Sequence, residues 1–82
     1  MSDLARTPQQ LGTTLRRHRK RLGLSQTELG DRAGLRQETI SLIETGHPAA
    51  RLDTLLAVLA VLDLEFRIAA RSRGANPKDL IS

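Results

Sequence analysis

The chain contains no cysteine, tryptophan or tyrosine, and a single phenylalanine is its only aromatic residue. Without Cys, neither a disulfide framework nor a zinc finger can be built. One aromatic ring offers no platform on which single-stranded bases could stack in series. No apolar run reaches the roughly 20 residues that span a bilayer, and the N-terminus has no signal-peptide apolar stretch, so a soluble cytoplasmic protein is expected. Catalytic patterns are lacking as well. There is no phosphate-cradling glycine loop, no Ser beside a plausible His base and no carboxylate pair set for acid–base work, so the reading is of a non-enzyme without cofactor or metal. His18, the nearest thing to a candidate, has no second ligand at metal spacing and reads as a surface imidazole. With 82 residues there is material for one small domain and not for two cores.

What the chain does have is positive charge, and it is concentrated. The net charge is +4 and the pI about 11.1, which suits an anionic partner but is also common on merely basic surfaces. Distribution says more than the total. Arg16, Arg17, Arg19, Lys20 and Arg21 fall within six residues, whereas residues 25–50 hold more acids than bases. A basic helix face of this kind is what a phosphate-contacting surface looks like, and the lack of stacking aromatics makes duplex DNA the better nucleic-acid candidate.

The most informative stretch is QTELGDRAGLRQETISLI, Gln26 to Ile43. Ser25 followed by Glu28 is a capping box that starts a helix at Gln26. Leu29 and Ala33 share one face, and Gly34 supplies the positive φ that ends it. After a short turn a second helix runs from about Arg36 to Glu44, with Ile40 and Ile43 toward the core and Gly46 closing it. Gly30 falls where the first helix must approach the second, a packing demand that offsets the roughly 1 kcal/mol cost of mid-helix Gly. Two short helices joined by a tight glycine turn are the helix-turn-helix signature, whose second helix enters the DNA major groove.

Around this pair the pattern gives residues 1–7 as an arm, 8–69 as the domain and 70–82 as a flexible tail. Thr7, Pro8 and Gln10 form a helix start, as N-cap, first helical position and capping-box partner. That helix runs to about Leu22, with Leu11, Leu15 and Leu22 buried and Gly23 as its stop. Leu52 to about Leu62 is a strongly apolar helix, with Leu52, Leu55, Leu56, Leu59 and Leu62 assigned to the core and Val58 and Val61 to another side. In Asp63 to Ala69, Leu64, Phe66 and Ile68 alternate with Glu65, Arg67 and Ala69, the period of a strand. A lone strand has no ladder partner in a helical domain. It either pairs with its copy across a homodimer or lies as an extended tail on its own core. The polar tail after it, RSRGANPKDLIS, ends in Leu80-Ile81, which suits either capture by a partner or simple disorder.

LGLSQTELGDRAGLRQETISLIETG resembles the phage-repressor helix-turn-helix family, the XRE or Cro-like type. The resemblance covers residues 8–62, while the order RQETIS and the terminal LEFRIAARSR are similar to the HipB antitoxins of toxin–antitoxin modules. It implies a mainly α, lambda-repressor-like bundle of four helices, plus a C-terminal strand (Leu64, Phe66, Ile68) pairing across a dimer. It also implies that Gln26 bonds a phosphate and supports Gln37, which then makes a bidentate contact with adenine. Arg36 suits guanine or a phosphate. Thr27, Thr39 and Ser41 offer hydroxyls to the DNA, and Arg17 contacts phosphate from the first helix. Glu38 departs from the expected polarity, since an acid repels phosphate, although it can accept from cytosine N4. Leu42 suits a thymine methyl. Arg19 and Glu44 are implied to be a structural ion pair between the first and third helices, or else surface charges. Gly30 replaces the Ala usual in the family. The implied partners are a duplex operator, a second copy and a HipA-like serine/threonine kinase toxin. A stand-alone repressor, or an interaction module that no longer binds DNA, are the competing readings.

Overall fold

The structure, a computed structural model, describes residues 3–71; most of the expected tail, from residue 72 on, lies outside the described residues. Four helices follow one another: α1 (Pro8–Arg21), α2 (Gln26–Ala33), α3 (Gln37–Glu44) and α4 (Leu52–Val61). α3 packs on both α1 and α2, and α2 packs on α4.

The helix ends follow from local chemistry. Thr7 caps α1 by accepting from the Gln10 backbone N–H, with Pro8 in the first turn where a missing N–H does no harm. The Gln10 side chain accepts from the Arg6 N–H at 2.7 Å, one residue earlier than a standard capping box would have it. In α2 the Ser25–Glu28 box is complete, and Gly34 closes the helix at φ 72°. The N-caps of α3 and α4 are Arg36 and Arg51, neither of which makes a side-chain cap bond. α4 ends on Asp63 in the left-handed region, φ 59°, with the Leu64 N–H bonded back to the Leu59 carbonyl at 2.8 Å. Asp63 therefore belongs to the exit of α4 and not to a strand.

Leu15, Leu24, Leu29, Ile40, Ile43, Val58, Leu59 and Leu62 form the buried core, with Leu11, Leu35, Leu55, Val61 and Leu64 packed against it. Two expectations for α4 and one for α1 are corrected. Val58 is 1% exposed and central, whereas Leu52 and Leu56 stand out at 63% and 47%. The cause is that this helix is apolar nearly all round, so its sequence does not reveal which stripe faces inward. Leu22 is exposed, because it lies past the end of α1 as its C-cap.

Among the described residues there is no strand, and residues 64–71 follow α4 without a ladder partner among them. Leu64 packs on the core, as an overlying tail would. Phe66 is half exposed along a groove shared with Leu11, Leu15 and Leu59. Ile68 is wholly exposed, which leaves the alternating face unpartnered in the single chain.

Candidate nucleic-acid interface

α2 and α3 start close together, and the first residue of each is a glutamine. The two side chains are hydrogen-bonded: Gln37 Nε2 donates to Gln26 Oε1 at 2.7 Å. Gln26 Nε2 in turn donates to Glu44 Oε1 at 3.1 Å. Gln26 is half-buried and Gln37 exposed, so the pair leads from the interior to the surface.

The inner end of this chain is the Arg19–Glu44 pair. Arg19 Nε and Nη2 donate to the two carboxylate oxygens at 2.6 and 3.0 Å, and Nη1 donates to the Leu24 carbonyl at 2.7 Å. The side chains are 9% and 3% exposed, so the pair is buried between α1 and α3. The hydrogen bond to Glu44 raises the Arg19 pKa, against the opposing effect of burial. Buried ions lose much hydration free energy, and the fork geometry with its third bond to Leu24 is what offsets that loss. No buried side-chain nitrogen or oxygen among the described residues lacks a partner.

The remaining sequence-assigned residues are distributed over the same side and beyond it. Arg36, Glu38 and Leu42 are exposed around α3, Thr27 is exposed at the start of α2, and Ser41 is half-buried. Gln37 and Ser41 are four residues apart and so share a helix face, as do Glu38 and Leu42. Thr39 points elsewhere: it lines a groove with Leu35, Ala49, Arg51 and Thr54, toward the start of α4. Arg17 is held by Asp3 at 2.5 Å, and the same carboxylate reaches His18 at 2.8 Å. The His18 hydrogen bond is the largest of the effects that lower the Asp3 pKa, with Arg17 adding to it. This clip of the N-terminal arm onto α1 has no precursor in the sequence pattern, because the two ends are joined through an irregular segment.

Gly12 was likewise not singled out from sequence. A Cβ there would come within 2.6 Å of the Glu44 carbonyl oxygen and closer still to that of Ile43, so α1 can lie on the end of α3 only with Gly at this position. A glycine in the middle of an otherwise good helix was the available signal. At Gly30 a Cβ would stand 2.6 Å from the Leu35 carbonyl oxygen, so the close approach is to the turn, and it is tight enough that even Ala requires a shift.

Among the described residues no cluster of His, Asp or Glu is arranged to hold a metal ion. No helix among the described residues is long and apolar enough to cross a membrane.

A helix-turn-helix family model matches residues 15–68. An uncharacterized HTH-type transcriptional regulator of Methanothermobacter thermautotrophicus is 50% identical over 35 residues, which is 43% of this chain and 51% of that protein. The chain thus aligns with about half the length of this curated relative. Among solved structures, a complex of a HipB variant with an O2 20mer superposes with a TM-score of 0.78 at 28% identity, covering 84% of this chain and 96% of the other. A HipA–HipB–O2–O3 complex gives 0.75 with the same identity and coverage. The four helices and their glycine-closed turn agree with the family match, and the chain belongs to the XRE-type helix-turn-helix family of DNA-binding transcriptional regulators, with a HipB-like fold.

Proposed function

We propose that this protein is a dimeric, sequence-specific repressor of duplex DNA that controls its own operon and neutralises a HipA-like serine/threonine kinase. The observation that carries the DNA-binding part is the Gln26–Gln37 pair, held at the exposed start of α2 and α3 and bonded inward to Glu44. Gln37 presents an amide to a base edge, and adenine, with its N7 acceptor and N6 donor, is the base that satisfies a carboxamide on both sides. Gln26 lies at a helix N-terminus, where a phosphate is favoured by backbone N–H groups and the helix dipole. Thr27, Arg36 and Ser41 supply further hydroxyl and cationic contacts, and Glu38 an acceptor for cytosine; Thr39, turned toward the start of α4, is left out of that surface. Arg17 supplies a phosphate contact from α1, once it is released from Asp3.

The exposure of Ile68 and Phe66 supports the dimer, since two-fold pairing of residues 64–69 would cover both and complete the backbone bonds of that segment. The kinase partner is supported by the likeness to a chain solved in a HipA–HipB complex. The polar tail, which ends in the apolar pair Leu80-Ile81, is a candidate contact with it.

Binding of the full chain to duplexes from upstream of its own gene tests the reading. With roughly 6–10 phosphate contacts, affinity should fall about 10³–10⁵-fold between 50 and 200 mM salt. Salt-independent affinity, or no retention of upstream DNA, would sink it. Co-purification with a kinase encoded beside it tests the partner. Operator binding without kinase capture would leave a stand-alone repressor. Truncation after Ser72 should keep operator binding and weaken kinase binding; equal kinase affinity removes the tail from the mechanism.

A further inference from the structure

We infer that Glu44 is a positioning residue for base recognition: its buried carboxylate sets the direction in which two successive glutamine amides are presented to DNA. This rests on the DNA-binding reading above. A carboxylate paired with a guanidinium offers acceptors only, so the group of Gln26 that reaches Glu44 Oε1 at 3.1 Å must be its NH₂. The Gln26 carbonyl oxygen is then turned outward. It in turn requires a donor, which is the Gln37 NH₂ at 2.7 Å. One N–H of Gln37 is used in that bond. Its second N–H and its Oε1 are left for the groove, and these are the donor and acceptor that adenine N7 and N6 require.

Each link allows one orientation of the next, so a group with 3% of its side chain exposed determines which end of an exposed amide is donor and which acceptor. An isolated glutamine on a helix surface has no such preference, because its two amide ends are nearly equal in size. Ordering the amide in the free protein also removes a rotamer cost at the moment of binding. Glu44 contacts no DNA in this arrangement. Its effect is on specificity through Gln26 and Gln37, in addition to holding Arg19.

The test uses a duplex selected by the wild-type protein from a randomised pool, and variants of that duplex with each base pair changed in turn. Glu44→Gln keeps the shape but replaces an acceptor-only group by one that both donates and accepts, so Gln26 and Gln37 are free to turn over. Gln26→Met cuts the relay and leaves the Arg19–Glu44 pair in place. Both should lower discrimination at a single base pair by about 5- to 150-fold, the value of one bidentate contact. Val58→Ala, which loosens the core without touching the relay, should weaken folding and keep that discrimination. Wild-type discrimination in Gln26→Met overturns the proposal, as does an equal loss in Val58→Ala at matched stability. If the wild type selects no sequence at all, the DNA-binding reading fails. The relay is then judged in the free protein by relaxation of the Gln37 side-chain ¹⁵N: order lost in Gln26→Met supports it, and unchanged mobility overturns it.

Discussion

Gly12 and Arg19 of α1 both meet Glu44 of α3, the first at its backbone carbonyl and the second at its carboxylate. They are seven residues apart, two turns of one helix, and so lie on the same stripe. The close backbone approach at Gly12 brings the guanidinium within bonding distance of its partner. Gly12→Ala should therefore destabilise the domain by about 1–3 kcal/mol, the usual cost of overpacking. Ala is the better helix former by roughly 1 kcal/mol, so a stabilised variant in urea denaturation would mean that the helices separate at little cost.

The ion pair makes a second and larger prediction. Arg19→Ala or Glu44→Ala leaves an uncompensated buried charge and should cost about 3–5 kcal/mol. Replacing both at once, Arg19→Met with Glu44→Leu, removes the charge together with its partner and should cost much less than the sum. A double-mutant cycle in thermal or chemical denaturation measures the coupling. Additive losses would show that the two charges act independently.

Acid stability depends on the start of α2. The Glu28 pKa is lowered, chiefly by the Ser25 backbone N–H, with the Ser25 side chain and Arg32 contributing less. A carboxylate with a lowered native pKa adds stability that is present above its unfolded value and is lost as pH falls through the native one. For Glu28 the loss should set in around its ordinary value of 4.5 and be complete once the pH has fallen below the lowered native value. Glu28→Gln cannot titrate but still offers an acceptor to the Ser25 N–H, so it should flatten that part of the stability–pH curve and leave the capping box in place at neutral pH. An unchanged acid limb in the variant would assign the acid sensitivity to other groups.

Ile68 tests the dimer. Its side chain is wholly exposed in the single chain, and pairing with a copy is the proposed cover. Ile68→Pro removes a ladder donor and fixes φ, which an interior strand position does not tolerate. Light scattering should show a larger monomer fraction. An unchanged dimer would move the interface to the exposed face of α4, where Leu52 and Leu56 stand out. Val58, which sequence assigned to a separate face, is excluded from that role by its burial.

Where the sequence was legible, the signals were local. The Ser25–Glu28 box and the Gly34 turn depend on residues a few positions apart, and both are found where the pattern puts them. The four-helix architecture follows from such punctuation together with the resemblance. Long-range geometry was less accessible. The bond from Gln26 to Glu44 joins residues 18 apart, and the Asp3–Arg17 clip joins residues 14 apart. Neither spacing has a local signature. The inward stripe of α4 was misread because Leu, Ala and Val surround that helix, so burial was decided by the shape of α2 and the chain after it and not by periodicity.

Base and phosphate contacts can be separated by two substitutions on the proposed DNA-facing side. Gln37→Ala removes a bidentate partner and should cost about 1–3 kcal/mol, confined to the duplex with the preferred base pair. A duplex already altered at that pair should be bound no more weakly by the variant than by the wild type. Arg17→Ala removes a charge that reads no base, so it should weaken all duplexes alike and reduce the slope of log affinity against log salt by about 1. Arg17 is tied to Asp3 in the free chain, and Asp3→Asn should loosen that tie and strengthen binding modestly. An exposed ion pair is worth about 0.2–1 kcal/mol, so the gain should be no more than about fivefold. Sequence-dependent loss in Arg17→Ala, or uniform loss in Gln37→Ala, would reverse the two assignments. That outcome would place base reading on α1, outside the glutamine pair that Glu44 holds.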